Sequence, residues 1–466
     1  MKSARKSRKA KRAKGRKSNR TKRSGRGTLR QAIDKFVPES IFAGLPKHGN
    51  ASWDFFTLVL MGFFWGWSNE PYLIDRYVAA CRAIGHWLPG AFVASSYQGF
   101  VKALTTHRVM LVDLVAQQLR SMMLRIAGRY TTVEGFLAFA VDGTKVEAPW
   151  TAANEEKLGK SGRKPKGKKC QRKETDLRPQ LTLTLLWHMG LQLPWAWKHG
   201  GLPDGERNQF RALLNLLPPL ALIVADAGFT GYELWREIIE GQRNFLIRVG
   251  ANVELLLELF PGSRIDRRDD IVYLWPKGKQ TKGERPLKLR LIKLKRGKQT
   301  VYLVTSILGA KKLTEAQASI LYSKRWGVEC TFRAFKQTLQ RRKMKSYTPE
   351  HAACELDWSL MSMWLLGLLA KQELIAADKD PAGFSTANAA RLLRRELYGD
   401  THGLDLDMAL FASAVKDSYQ RKSSKKARHD QRKKREKPPA APKIIRATRQ
   451  QRKAAKALEV VVALAA

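Results

Sequence analysis

The chain has 466 residues, 44% of them hydrophobic, and a formal net charge of +45 at pH 7. That length and apolar content allow two to four structural units with a sizeable core. The charge excludes a basic or neutral partner as the main one and asks for a polyanion.

The charge is concentrated at the two ends. Residues 1–30 hold fifteen Lys and Arg and no acid, and residues 421–453 hold another fifteen against Asp430 and Glu436. Such like-charge blocks bury little and read as disordered basic tails that gain DNA affinity by counterion release. Between them lies a moderately basic globular body. Its four cysteines, Cys81, Cys170, Cys330 and Cys354, form no C-x-x-C pair. The spacing therefore speaks against zinc and for a reducing compartment. The apolar runs Phe55–Trp67 and Leu360–Ala370 are shorter than the ~20 residues a membrane span needs. Residues 1–30 lack the apolar stretch of a secretion signal. Together these features predict a soluble intracellular protein with no membrane partner.

Residues 31–135 repeat apolar side chains at helical spacing, as in Tyr72–Trp87 and Met110–Ile126, and predict a helical N-terminal domain. The texture then changes. Phe136–Val141 is a short apolar run ending at Asp142-Gly143. Leu181–Trp187 and Leu193–Lys198 read as strands, Phe210–Leu217 as a helix and Leu220–Ala225 as an apolar run ending at Asp226. Tyr232–Glu240 reads as a helix and Phe245–Val249 as a strand. The mixture predicts an α/β core over 136–249 and 306–375. The Gly-containing basic stretch Lys157–Lys173 has no apolar period and reads as a loop, either solvated or tracking a phosphate backbone. Residues 250–305 are β-rich, with strands expected at Ile271–Trp275, Leu287–Leu294 and Thr300–Thr305.

Thr314-Glu-Ala-Gln317 fits a capping box and opens a helix reaching about Leu339, with Gly327 inside it as a place for a kink. Further helices are expected at about Cys354–Leu374, Thr386–Leu397 and Asp405–Val415, the last two in a C-terminal helical region, 376–420.

Asp142 and Asp226 each close an apolar run and are followed within two residues by Gly. At a strand tip such an acid projects into a crevice, although Asp also serves commonly as a turn or cap residue. At about 100° per residue, Tyr322, Arg325, Glu329 and Lys336 fall on one narrow stripe of the capped helix. A solvent face paired i,i+4 would explain Arg325 and Glu329 but not Tyr322.

Tyr322-x2-Arg325-x3-Glu329-x6-Lys336 matches at every spacing the Y-x2-R-x3-E-x6-K signature of bacterial DDE transposases of the insertion-sequence-four type, and the chain resembles that family over about residues 136–375. Asp142-Gly-Thr is similar to its first acid motif and Asp226-Ala-Gly-Phe to its second, with Ala227 where a basic residue is common. The resemblance implies an RNase H-like catalytic core with a β-rich domain inserted at 250–305. It implies Asp142, Asp226 and Glu329 as catalytic carboxylates holding Mg2+, or alternatively Mn2+, as two ions. Arg325 and Lys336 would hold phosphates, Tyr322 would contact the terminal nucleotide, and Trp275, an insertion-domain Trp with a core role as the alternative, would stack on a flipped base. It further implies cut-and-paste chemistry, with cleavage at transposon ends followed by strand transfer into target DNA. The partners would be double-stranded terminal repeats and target, bound by a homodimer in the paired-end complex, in a bacterial cytoplasm at the nucleoid. A catalytically inactive DNA-binding derivative and an RNase H-like nuclease are the competing readings.

Overall fold

The computed structural model describes residues 27–46, 53–90, 96–161, 178–260, 270–297, 299–398, 406–417, 440–458 and 460–462. Residues 1–26 and 418–439, most of the expected tails, lie outside these. So does the basic stretch from residue 162 onward.

Among the described residues, five α-helices precede the first strand: α1 (Leu29–Phe36), α2 (Phe55–Trp67), α3 (Leu73–Trp87), α4 (Tyr97–Thr106) and α5 (Arg108–Ala127). The α1 helix starts at a capping box in which the Thr28 hydroxyl accepts the Gln31 N–H and the Gln31 side chain accepts the Thr28 N–H. The α2 sequence, FFTLVLMGFFWGW, has no polar stripe, so it can only be stable when enclosed on every side; all thirteen of its residues are buried.

Among the described residues, eleven strands form one sheet. They are β1 (Ala138–Glu147), β2 (Lys160–Ser161), β3 (Arg178–His188), β4 (Leu193–Gly200), β5 (Leu222–Ala225), β6 (Asn244–Arg248), β7 (Glu254–Leu257), β8 (Ile271–Leu274), β9 (Leu287–Arg296), β10 (Gln299–Thr305) and β11 (Lys443–Arg446). The order is β11-β7-β8-β9-β10-β6-β5-β1-β3, and β3 also pairs with β4 and β2. β1, β5 and β6 are mutually parallel, and β3 runs antiparallel to both β1 and β4. The helices among and beyond these strands are α6 (Ala152–Leu158), α7 (Glu206–Leu213), α8 (Tyr232–Glu240), α9 (Lys277–Gln280), α10 (Glu315–Lys324), α11 (Gly327–Arg333), α12 (Pro349–Ala376), α13 (Thr386–Tyr398) and α14 (Arg449–Lys456).

The β-rich segment continues the central sheet, because β10 pairs antiparallel with β6 through Leu303↔Arg248, Val304↔Ile247 and Thr305↔Leu246. The expectation that the basic block at 421–453 belongs to a disordered tail is corrected from residue 440 onward. Lys443–Arg446 pairs parallel with Glu254–Leu257, and Ala447 and Ala455 pack with Leu256, Ile271, Tyr273 and Trp275 in a second, smaller hydrophobic cluster. Apolar Ile444 and Ile445 among the cations let this piece join a sheet edge.

The 28-residue α12 is the spine of the main core. By length and composition it is apolar enough to cross a bilayer, contrary to the expectation drawn from Leu360–Ala370 alone, yet its apolar window is wholly buried inside the fold. It lies against α2 where Gly62 and Gly66 leave a groove. A Cβ on Gly62 would come within 2.5 Å of the Trp358 ring, and one on Gly66 within 2.1 Å of Ser362 Oγ. The Trp67 indole N–H donates to the Ser362 carbonyl at 2.7 Å. This contact fixes the N-terminal helices onto the element that follows the signature helix. The region at 405–415 forms a short 3-10 segment, Met408–Ser413, in place of the expected α-helix.

Candidate active site

Two parallel strands bring the first two acids together. β1 pairs with β5 in the register Ala138↔Leu222 to Ala140↔Val224. Two residues further along, Asp142 and Asp226 stand level on neighbouring strands, whose backbones lie ~4.8 Å apart. The sequence placed both acids at strand tips. Asp226 does follow the last residue of β5, and its carboxylate accepts the Gly228 N–H at 2.8 Å. Asp142 is a correction: it sits inside β1, which runs on to Glu147 with β3 as its remaining partner (Asp142↔Leu185). The crevice arises because β5 stops and β1 does not.

The third acid comes from the signature helix. Its capping box forms as expected, with Thr314 Oγ1 accepting the Gln317 N–H. The helix then breaks between α10 and α11 and ends in a π-turn over Ala334–Thr338. Gly327 lies at the break, and a Cβ there would meet the Trp187 ring of β3 at 2.0 Å. Glycine thus lets the backbone press against the sheet beside β1. Despite the break, Arg325 Nη2 reaches Glu329 Oε1 at 3.3 Å and Nη1 reaches Asp142 Oδ2 at 3.6 Å. One guanidinium bridges the strand acid and the helix acid. Lys336 Nζ donates to Thr144 Oγ1 at 2.6 Å, two residues beyond Asp142.

The electrostatics follow from this crowding. Burial and the neighbouring Asp226 push the Asp142 carboxyl up to about 7, while Arg325 and the Gly143 N–H oppose the shift. Glu329 is also raised, by burial first and by Asp226, against the pull of Arg325. Burial and Arg342 lower Lys336. Arg325 is buried, and its Nε and Nη1 have no hydrogen-bond partner, so donors face a site that carries excess negative charge.

A fourth acid escaped the sequence reading. Glu206 begins α7, and a Cβ on Gly143 would fall 2.3 Å from its Oε1. The absent side chain at Gly143 leaves the space that the Glu206 carboxylate fills. Burial and Asp226 both raise its pKa, and Lys145 lowers it. The small residue directly after Asp142, together with an acid opening a helix, is the signal that was available.

The remaining expected residues fall differently. Tyr322 is 8% exposed, with its ring under the Arg325 guanidinium at 5.6 Å. It supports Arg325 here and presents little surface to a nucleotide. Trp275 is a second correction. It is 3% exposed in the smaller hydrophobic cluster, and its indole N–H is taken by the Glu284 carbonyl at 2.7 Å, so its ring is not offered for stacking.

The donor set is made of carboxylate oxygens, which suits hard divalent cations such as Mg2+ or Mn2+. Arg325 already places positive charge between Asp142 and Glu329, where a cation would relieve the repulsion. Among the described residues no three acid, His or Cys side chains are drawn in closely enough to enclose an ion.

Residues 135–365, just under half of the chain, match the transposase DDE domain family. This span contains Asp142, Asp226, Glu329 and the whole signature helix. Comparison with curated proteins gives no match. Among solved structures, the chain is similar to a cryo-EM structure of piggyBac transposase in a synaptic complex with hairpin DNA. The two share 13% identity over 85% of this chain and 84% of that one, with a TM-score of 0.39, a likeness too weak to carry a structural argument.

Proposed function

Starting from a transposase DDE domain over residues 135–365, we propose that the chain is a cut-and-paste DNA transposase of the insertion-sequence-four type. Its catalytic carboxylates are Asp142, Asp226 and Glu329, and its core is RNase H-like. The observation that carries the reading is the register that sets Asp142 beside Asp226, with Arg325 joining Asp142 to Glu329. The order β4-β3-β1-β5-β6, with β3 alone reversed against its parallel neighbours, supports the core assignment.

Asp142, Asp226 and Glu329 would hold two Mg2+ or Mn2+ ions, with Glu206 at the rim. Such ions, when bound, supply an activated attacking oxygen and stabilise the leaving one. The chain's own part is to converge the acids and to hold the scissile phosphate. Arg325, already held between Asp142 and Glu329, would bring its guanidinium charge to the phosphate oxygens, and Lys336 adds a point charge further along β1. The helical region 31–135 and the basic ends bind the terminal repeats and target nonspecifically or specifically, with two copies on paired ends in the bacterial cytoplasm.

The test is a cleavage assay on duplexes carrying the DNA that flanks the coding sequence. Asp142→Asn, Asp226→Asn and Glu329→Gln are each expected to cut at least ~100-fold more slowly with Mg2+, an effect of the size seen when a transition-state contact is removed. Gel-shift binding should persist. Wild-type rates from any one variant would remove that residue from the site. Tight binding without a metal-dependent cut in the wild type would favour an inactive DNA-binding derivative.

A further inference from the structure

Beyond the carboxylates, β1 and its continuation run alongside a second segment, and the two together carry several cations and two exposed rings. The Glu147 N–H donates to the Arg342 carbonyl at 3.1 Å, and the Met344 N–H donates to the Glu147 carbonyl at 2.8 Å. Further on, Thr151 Oγ1 donates to the Tyr347 carbonyl at 2.8 Å. Residues 342–347 therefore track residues 147–151 in parallel, and Trp150 precedes the residue bonded to Tyr347.

Both segments have an inward and an outward side. Val146, Ala148, Met344 and Ser346 are buried, so the fold has ample apolar anchors here without the two rings. Trp150 is nevertheless 47% exposed and Tyr347 73%. Single exposed apolar side chains need no explanation, but a pair on adjacent segments calls for one. Lys145, Arg342 and Lys345 are exposed around them, and Lys343 is partly so. Glu147 is matched by Arg342 at 3.8 Å. Lys336, on Thr144, continues the positive strip back to Asp142. At ~3.3 Å per residue, Trp150 lies no more than about 27 Å from Asp142 along this path.

We propose that Trp150 and Tyr347 form a stacking platform for unpaired nucleotides of a DNA strand that runs from the carboxylate site along the Lys336–Lys345 strip. Duplex DNA hides its base faces, so rings beside phosphate-binding cations gain contact only where a strand is single. Base-on-aromatic stacking with a positively charged track is the general chemistry of single-strand binding and is tolerant of sequence. The direction of the strand rests on the cleavage reading above; the binding itself does not.

The experiment uses the full chain in EDTA, where no cleavage occurs. Fluorescence anisotropy compares a blunt duplex with the same duplex bearing an oligothymidine overhang. The basic ends contribute to both DNAs, so the ratio of affinities isolates the platform. The wild type is expected to prefer the overhang. Trp150→Ala and Tyr347→Ala should each shrink that preference by roughly 5- to 150-fold. Trp150→Phe should retain most of it, and Trp326→Ala, at an exposed tryptophan elsewhere, should leave it intact. Thermal melting establishes that the variants fold. An unchanged preference in both alanine variants overturns the proposal. So does an equal loss for blunt and tailed DNA. Dissociation of a protein dimer in the variants with the preference intact also overturns it, and assigns the rings to a contact between copies. Loss of cleavage in the carboxylate variants is read separately, so failure of either reading is visible alone.

Discussion

Two aspartates of this molecule, Asp357 buried and Asp142 mostly enclosed, have opposite electrostatics. Asp357, inside α12, is enclosed, and burial alone would raise its pKa. It accepts hydrogen bonds from Trp197 Nε1 at 2.7 Å and Arg108 Nη1 at 2.7 Å and lies 2.9 Å from His199 Nε2, and these partners outweigh burial and hold it below the usual range. Asp142 is also largely buried, but it receives one backbone N–H at 2.9 Å and a guanidinium at 3.6 Å, beside a second carboxylate. Its pKa goes up to about 7. A structural acid is saturated with donors by the fold. Asp142, the proposed catalytic acid, is left short of them, as a group that something from outside completes would be.

The comparison breaks most visibly in stability. Asp357→Asn should leave Arg108 and His199 without their anion and cost about 3–5 kcal/mol of unfolding free energy, measured by urea denaturation at pH 8. A cost under ~1 kcal/mol would show that the network is not what joins α5 and β4 to α12. The depressed pKa means that this contribution is present above the ordinary aspartate range and is lost as pH falls through the lower folded-state value.

Asp142 has the reverse sign. Its folded pKa lies above its unfolded one, so the native state holds a proton that the unfolded chain has released, and stability falls as pH rises from about 4 to about 7. Asp142→Asn removes that penalty and should stabilise the metal-free protein by about 1–3 kcal/mol at pH 8, with no gain at pH 4. Equal effects at both pH values would place the shift elsewhere.

The same proton competes with a cation. Apparent Mn2+ affinity, measured by calorimetry, should rise about tenfold per pH unit up to roughly pH 7 and then flatten. A flat profile from pH 5.5 to 7 would mean that Asp142 is not a ligand. The smallest effect is expected at the rim. Glu206→Gln should weaken Mn2+ binding by about three- to tenfold, within the range for an accessory metal partner, while leaving the melting temperature within a few degrees.

The signature helix was largely legible because its information is local. A capping box, a spacing of side chains and a glycine that breaks the helix all lie within 23 residues. The two aspartates were legible as acids ending apolar runs. That β1 continues past Asp142 was not, because strand length depends on β3, where the residue opposite Asp142, Leu185, lies 43 positions away. Glu206 stayed hidden for the same reason: its closeness to Gly143 is a matter of register and helix placement that no periodicity records. For Trp275 the sequence left stacking and a core role both open, and the core role holds, because Ile271, Tyr273 and a helix from the distant 449–456 segment enclose it. Lys443–Arg446 was masked by its composition, since four residues in a cationic run carry too little pattern to declare a strand.

That last strand has a consequence for how the chain is made. β11 covers the edge of β7, which is synthesised about 190 residues earlier. Until residue 446 leaves the ribosome, the row of unpaired amides and carbonyls on Glu254–Leu257 stays open, next to apolar Leu255 and Leu256. Open edges of this kind template pairing with other chains, and contacts this far apart in sequence form late. A chain that stops short of residue 443 therefore leaves this edge of the sheet open, and the short cationic strand is what closes it.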